Sequence, residues 1–196
     1  MKIGFTGVSG SGKTTIAKLL KDKYNLSVVP GPGRKLKELG YNINEDGDIE
    51  TQKAALDIHI EDLNKDGIFE RVILDAVVYT KYLVENKKTI ARSFLDLIEK
   101  ASIELMCKYD IVFYIKPEFD LVPDGIRSTD LDFRNICSSY YDYYIDTYGI
   151  NVVNLSGSID ERFKTAVNTI DSVFLKIKWF LRFFIYNYII KIKTKV

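Results

Sequence analysis

The stretch Lys2-Ile3-Gly4-Phe5-Thr6-Gly7-Val8-Ser9-Gly10-Ser11-Gly12-Lys13-Thr14-Thr15 decides the fold. Residues 2–6 are apolar enough for a buried strand, and Lys13–Tyr24 places Ile16, Leu19 and Leu20 on one helical face. Between them, Gly7–Thr14 fill every position of G-x-x-x-x-G-K-[ST], at a strand-to-helix junction where that motif works. Glycines there let successive backbone N–H groups turn inward onto a polyphosphate, and the helix N-terminus adds partial positive charge. Gly7, Ser9, Gly10, Ser11, Gly12, Lys13, Thr14 and Thr15 are therefore the expected nucleotide cradle. In such a cradle Lys13 counters the β- and γ-phosphates and the Thr14 hydroxyl reaches Mg²⁺, which makes ATP with Mg²⁺ the expected ligand pair.

From that loop onward, strand-like and helix-like segments alternate. Strands are predicted at Leu26–Val29, Gly67–Glu70, Asp110–Ile115 and Ile150–Leu155. Helices are predicted at 34–39, Thr51–Asn64, Val72–Glu85, Thr89–Lys108, about 130–147, and from Ser158, where Glu161 completes a capping-box spacing. Pro30-Gly31-Pro32-Gly33-Arg34 reads as loop by composition, and so does Lys116–Thr129. Strands separated by helices imply a three-layered α/β fold on five parallel strands.

Composition narrows the chemistry. The 196 residues fit one domain, and a formal charge of +1 hides an uneven distribution. Six cations and no acid lie in residues 174–196, which leaves 22 basic against 27 acidic residues elsewhere and argues against a general nucleic-acid surface on the main domain. Cys107 and Cys137 have no metal-site spacing, so a reduced, cytoplasmic protein without zinc is expected. No signal peptide and no conventional membrane span are expected. His59, the single histidine, reads as a half-buried helix residue rather than a catalytic base. Asn64-Lys65-Asp66-Gly67 lacks the last Asp of a guanine motif and follows a helix, which disfavours a GTP switch.

Three further strings carry a resemblance: Glu70-Arg71-Val72-Ile73-Leu74-Asp75 with Tyr79, Asp124-Gly125-Ile126-Arg127 with Arg134, and Leu155-Ser156-Gly157. In order and spacing over residues 1–170 they resemble the P-loop nucleoside and nucleotide kinases, closest to the small AAA-type ATPase/kinase group related to nicotinamide-riboside kinase. The resemblance implies a P-loop NTPase fold with a kinase-like lid at about 117–135. It implies an acidic–Arg pair at the end of the third strand, lid arginines after the fourth, and a loop near the base before the last domain helix. The family more often shows Asp-Arg where this chain has Glu70-Arg71.

The expected catalytic set is Lys13, Glu70, Arg71, Arg127 and Arg134. Glu70 would take the acceptor hydroxyl's proton or hold Mg²⁺ through water, and Arg71 would clamp an anion. Arg127 and Arg134 would neutralise transferred charge and exclude water. A second local reading makes Arg71–Asp75 a strand, with Asp75 as the metal-side carboxylate instead of Glu70. In this fold class residues 30–60 hold the second substrate, so Arg34 and Gln52 join Asp75 as acceptor-side candidates. Tyr140, Tyr141, Tyr143, Tyr144 and Tyr148 read as packing rather than base stacking.

Domain limits are expected at 1–173, with 174–196 as an aromatic, basic tail helix. That tail packs on the domain, contacts another copy or partner, or meets an anionic membrane surface. The leading functional expectation is a kinase acting on a nucleoside, nucleotide or nucleic-acid hydroxyl. An NTPase using water and a nucleotide-sensing module docked by its tail are the alternatives.

Overall fold

The structure is a computed structural model; it describes residues 1–118 and 128–193, with side chains described as far as residue 176. Five strands form one sheet: β1 (Lys2–Thr6), β2 (Val28–Val29), β3 (Gly67–Phe69), β4 (Ile111–Tyr114) and β5 (Val153–Asn154). Their order is β2-β3-β1-β4-β5, and every pair is parallel, as the alternation of elements predicts. In register, Gly4 of β1 stands between Phe69 of β3 and Val112 of β4.

A two-residue period distributes the strand side chains over two cores. Ile3, Phe5, Ile68, Ile111, Phe113 and Ile115 are buried with Ile16, Leu20, Ala166 and Ile170, under α1 (Lys13–Tyr24) and α7 (Ile159–Lys193). Phe69, Val112 and Tyr114 face the opposite core, built with α4 (Ile73–Tyr82), α5 (Arg92–Leu105) and α6 (Leu131–Tyr148). Both faces of a parallel sheet are thus covered, which is the condition for such a sheet to be stable in water.

The remaining helices are α2 (Pro32–Glu38) and α3 (Ile49–Asp62). Residues 30–34 are not all loop: Pro32 starts α2, because a proline lacks only an N–H that the first helical turn does not use. Helix α3 begins at Ile49, capped by the Asp48 carboxylate on the Thr51 N–H at 2.9 Å. The expected helix at Thr89 starts later, at Arg92, after a π-helical turn (Leu83–Lys87) and Lys88 in the left-handed region at φ 56°. The capping box at Ser158 forms: Ser158 N–H donates to Glu161 Oε2 at 2.8 Å, and Glu161 N–H to Ser158 Oγ at 3.3 Å.

Helix α7 is 35 residues long, about 52 Å, and runs unbroken through residue 173. Phe174 packs beside Tyr24 of α1 with ring centroids 6.1 Å apart, whereas Leu175 is exposed. No helix among the described residues is long and apolar enough to cross a membrane. Of the tyrosines, Tyr141 and Tyr144 are wholly buried, and Lys81 Nζ sits 5.1–5.9 Å over the rings of Tyr140, Tyr143 and Tyr144. This is packing, with a cation laid across aromatic faces.

Candidate active site

Strand β1 ends at Thr6, and the chain turns at once into the glycine loop. Gly7 has φ +124°, and a Cβ there would run into the Ile115 carbonyl oxygen, so only glycine fits this turn. The loop closes onto α1, whose Lys13 is 6% exposed. Lys13 Nζ donates to the Gly7 carbonyl at 2.7 Å, to the Val8 carbonyl at 2.5 Å and to Ser11 Oγ at 3.1 Å. Its ammonium is thereby held at the loop's own centre.

A cleft of about 390 Å³ opens over this loop. One end is walled by Ser9–Thr15, the floor by Glu70, Arg71 and Asp75, and the far side by α2 and α3. The structure thus brings together Lys13, Thr14, Glu70, Arg71, Asp75, Gln52 and Arg34. Arg34 is exposed at the rim, and Gln52 is buried with its Oε1 accepting the Thr80 hydroxyl at 3.2 Å.

The strand reading of Arg71–Asp75 is not what the chain adopts. Val72 is the N-cap of α4, and Asp75 lies in its first turn, reaching back to accept the Val72 N–H at 3.0 Å. An apolar run favours strand or helix equally; this carboxylate cap tips it to helix. Asp75, 2% exposed, accepts four hydrogen bonds in all. Besides Val72, the donors are the Thr6 hydroxyl at 3.1 Å, Arg71 Nη1 at 2.6 Å and the Tyr141 hydroxyl at 2.7 Å.

Arg71 is the bridge from this hub to the phosphate loop. Its Nη1 also donates to the Gly7 carbonyl at 2.8 Å, and its Nη2 to Ser9 Oγ at 3.1 Å. Its Cζ lies 5.6 Å from the Tyr79 ring centroid. Gly31 faces its stem, where a Cβ would collide with Arg71 Cγ, so the first glycine of Pro30–Gly33 is a close-approach position. Burial opposes the cation, but Tyr79, Asp75 and Tyr141 hold it protonated well above the usual arginine range. Burial and then the Asp75 charge push the Tyr141 hydroxyl well upward, so it stays a donor.

Three functional neighbours escaped the sequence reading. Arg162 of α7 is 1% exposed and donates from Nη1 to the Ser11 carbonyl at 2.8 Å, while its Nη2 lies 2.9 Å from Glu118 Oε2. It braces the phosphate loop from behind, and no local pattern announces it. Tyr141 was hidden in a tyrosine-rich run. His59 is not half-buried: at 3% exposure it lines the cleft from α3. Its position seven residues after Gln52, on the same helical face, was the available signal.

Arg134 does not line the main cleft. It sits with Val8, Ser9, Tyr79, Ser128, Phe133 and Cys137 around a small recess on the other side of Ser9. Arg127 lies outside the described residues, as do residues 119–127 of the expected lid. Ser128 resumes the chain and donates to Glu45 Oε1 at 2.7 Å, tying the segment before α6 to the segment before α3.

A family model described as an AAA domain matches residues 2–162, four-fifths of the chain. The chain belongs to this AAA-domain family. No curated protein matches the sequence of this AAA-domain protein. Solved structures do share its fold. Deoxyadenosine kinase from M. mycoides with bound dATP superposes with a TM-score of 0.60 at 16% identity, covering 87% of this chain and 100% of that one. Thymidylate kinase from Ehrlichia chaffeensis gives 0.57 at 18%, covering 88% and 98%. NadR protein in complex with NR gives 0.68 at 15%, covering 88% of this chain and 51% of the NadR chain. The AAA-domain chain thus has the α/β fold of P-loop kinases, and its two core faces and phosphate loop occupy that framework.

Proposed function

We propose that this protein is an ATP-dependent phosphotransferase that moves the γ-phosphate to a hydroxyl of a nucleoside, nucleotide or nucleic-acid end. The observation that carries the reading is that one cleft is walled both by the phosphate loop and by Glu70-Arg71, and then continues along α3. A protein that only hydrolysed ATP would need room for water beyond the γ-phosphate, not a second chamber. A cleft of about 390 Å³ lined by a few polar groups is the usual form of a small-molecule site.

In this reading the backbone of Ser9–Thr15 binds the phosphates and Lys13 turns toward them as counter-charge. Arg71, kept charged and aimed by Asp75, supports the transferred group as its charge spreads. Glu70 orients the acceptor hydroxyl and receives its proton. Arg127 and Arg134 are kept as lid candidates, and Arg34 and Gln52 as acceptor contacts.

The donor set also suits Mg²⁺. That ion keeps several waters and binds through phosphates with one or two protein oxygens. The Thr14 hydroxyl and the Glu70 carboxylate both border the cleft, whereas the Asp75 oxygens are already committed to four donors. When bound, Mg²⁺ would neutralise charge on the β- and γ-phosphates. Residues 174–196 are kept as a contact segment for the domain, a second copy, or an anionic surface.

Labelled ATP, Mg²⁺ and a panel of nucleosides, monophosphates and oligonucleotides test the reading. Label transferred to an acceptor supports it. Free phosphate alone under every acceptor would make the protein an NTPase, and binding without turnover a nucleotide sensor.

A further inference from the structure

We propose that the distal half of α7, residues 174–193, docks on an anionic lipid surface and lies in its headgroup region. The inference stands apart from the phosphotransferase reading, because neither the cleft nor turnover enters it.

The packing of α7 shows where it leaves the domain. Arg162, Ala166 and Ile170 stand four residues apart on the helix, and all three are buried. The next member of that row, Phe174, is only half-buried, against Tyr24 at the end of α1. Leu175 is 67% exposed, and Lys176 is exposed beside it. The row of contacts therefore fades where α1 ends, while α7 continues without a break to Lys193. That remainder advances about 28 Å along the axis, and an unbroken helix cannot double back over its own domain.

The sequence of this remainder is ill-suited to water. From Ile177 to Ile192, each successive four residues hold three aliphatic or aromatic ones. The fourth is Lys178, Arg182, Asn187 and Lys191 in turn. A helix apolar on every turn needs surroundings other than water. It does not cross a bilayer: the stretch is about 24 Å long against a hydrocarbon core of about 30 Å, and Arg182 falls inside it. Lying in the interface satisfies both limits.

Charge identifies the surface. Residues 174–193 carry five cations and no acid, whereas residues 159–173 of the same helix carry Asp160, Glu161 and Asp171 against Arg162 and Lys164. A second copy of the distal half would set cations against cations with no acid to pair them. Anionic headgroups supply that counter-charge, and long lysine and arginine stems reach it while apolar groups lie deeper. Trp179, Tyr186 and Tyr188 are of the residue types that favour this boundary.

Trp179 is the single tryptophan of the chain, so its emission reports on this helix alone. The test mixes the full chain with vesicles of phosphatidylcholine, or of equimolar phosphatidylcholine and phosphatidylserine, in ~0.1 M and ~1 M salt. Flotation gives the binding, and Trp179 emission with quenching by brominated lipid gives the insertion. The expected result is binding at least about tenfold tighter to the anionic vesicles, with a blue-shifted, quenched Trp179 and release at high salt. The combined variant Lys178→Gln, Arg182→Gln, Lys191→Gln should bind them about 100-fold more weakly, with an unchanged circular dichroism spectrum and unfolding midpoint. Equal binding to both vesicle types, binding to neither, or wild-type affinity in the folded variant overturns the inference. So does Trp179 emission that is already blue-shifted without lipid. Sedimentation velocity then assigns the cover to a second copy if the chain is dimeric, and to its own domain if monomeric.

Discussion

Arg71 reaches across one turn to Asp75, with 2.6 Å between Nη1 and Oδ1, and the same nitrogen holds the Gly7 carbonyl of the phosphate loop at 2.8 Å. This contact joins three things that are remote in sequence: the end of β3, the start of α4 and the turn after β1. Tyr141, from α6, adds a fourth element through Asp75 at 2.7 Å. The loop that would carry the nucleotide is thus fastened to the floor that would carry the acceptor.

Removing one partner of this pair should be expensive. Asp75→Ala takes the carboxylate from the part-buried Arg71 cation and strips the cap from α4, for an expected loss of about 2–4 kcal/mol in urea unfolding. Asp75→Asn, which keeps an acceptor for the Val72 N–H and the Tyr141 hydroxyl, should lose less.

Glu70→Ala should separate from Asp75→Ala in kind. Glu70 is half-buried on the cleft floor, and its backbone N–H, which any residue would supply, donates to the Val29 carbonyl at 3.0 Å. Its loss should cost less than about 1 kcal/mol of stability but lower kcat by 10²-fold or more, the scale of a lost general base. Full turnover in Glu70→Ala would move the chemistry to another carboxylate.

Lys13→Ala should abolish turnover and weaken Mg·ATP binding by at least tenfold in equilibrium titration, because the amides alone cannot balance a triphosphate. Unchanged affinity and rate would remove the basis for a phosphate loop.

Arg162→Met takes the brace from the Ser11 carbonyl and unpairs Glu118. The expected outcome is weaker ATP binding together with a stability loss of about 2–4 kcal/mol. Because Arg162 stands behind the loop, the acceptor KM should be spared, and a rise in acceptor KM alone would contradict that placement.

Stability should also depend on pH through His59. Its folded pKa is about 4 against an ordinary 6.5, caused first by burial and only partly offset by the Asp75 and Asp62 charges. The unfolded chain takes up this proton near pH 6.5, and the folded one refuses it until about pH 4. The contribution is therefore complete above 6.5, falls through that window by about 3 kcal/mol, and levels off below it. His59→Leu should flatten the wild-type slope between those limits in urea titrations; parallel slopes would place the imidazole in water.

Much was legible beforehand because it depends on local pattern. Glycine spacing with flanking apolar runs announces the phosphate loop, and the alternation of β and α segments announces the parallel sheet. The Ser158–Glu161 cap formed at its expected place for the same reason. The expected helix from Val72 formed, and the competing strand reading of Arg71–Asp75 fell to one carboxylate that caps α4, whereas Pro32 was taken for loop although it opens α2.

Local sequence was sufficient for the sheet, its connections and a phosphate-binding turn, since short-range sterics and hydrophobic period dictate them. The four donors that converge on Asp75, the bracing of the loop by Arg162 from a helix 151 residues away, and the burial of His59 in the cleft came from the packing of separate elements. Desolvation and hydrogen-bond satisfaction act on whatever groups the fold brings into contact, and those encounters are not written in the spacing of neighbouring residues.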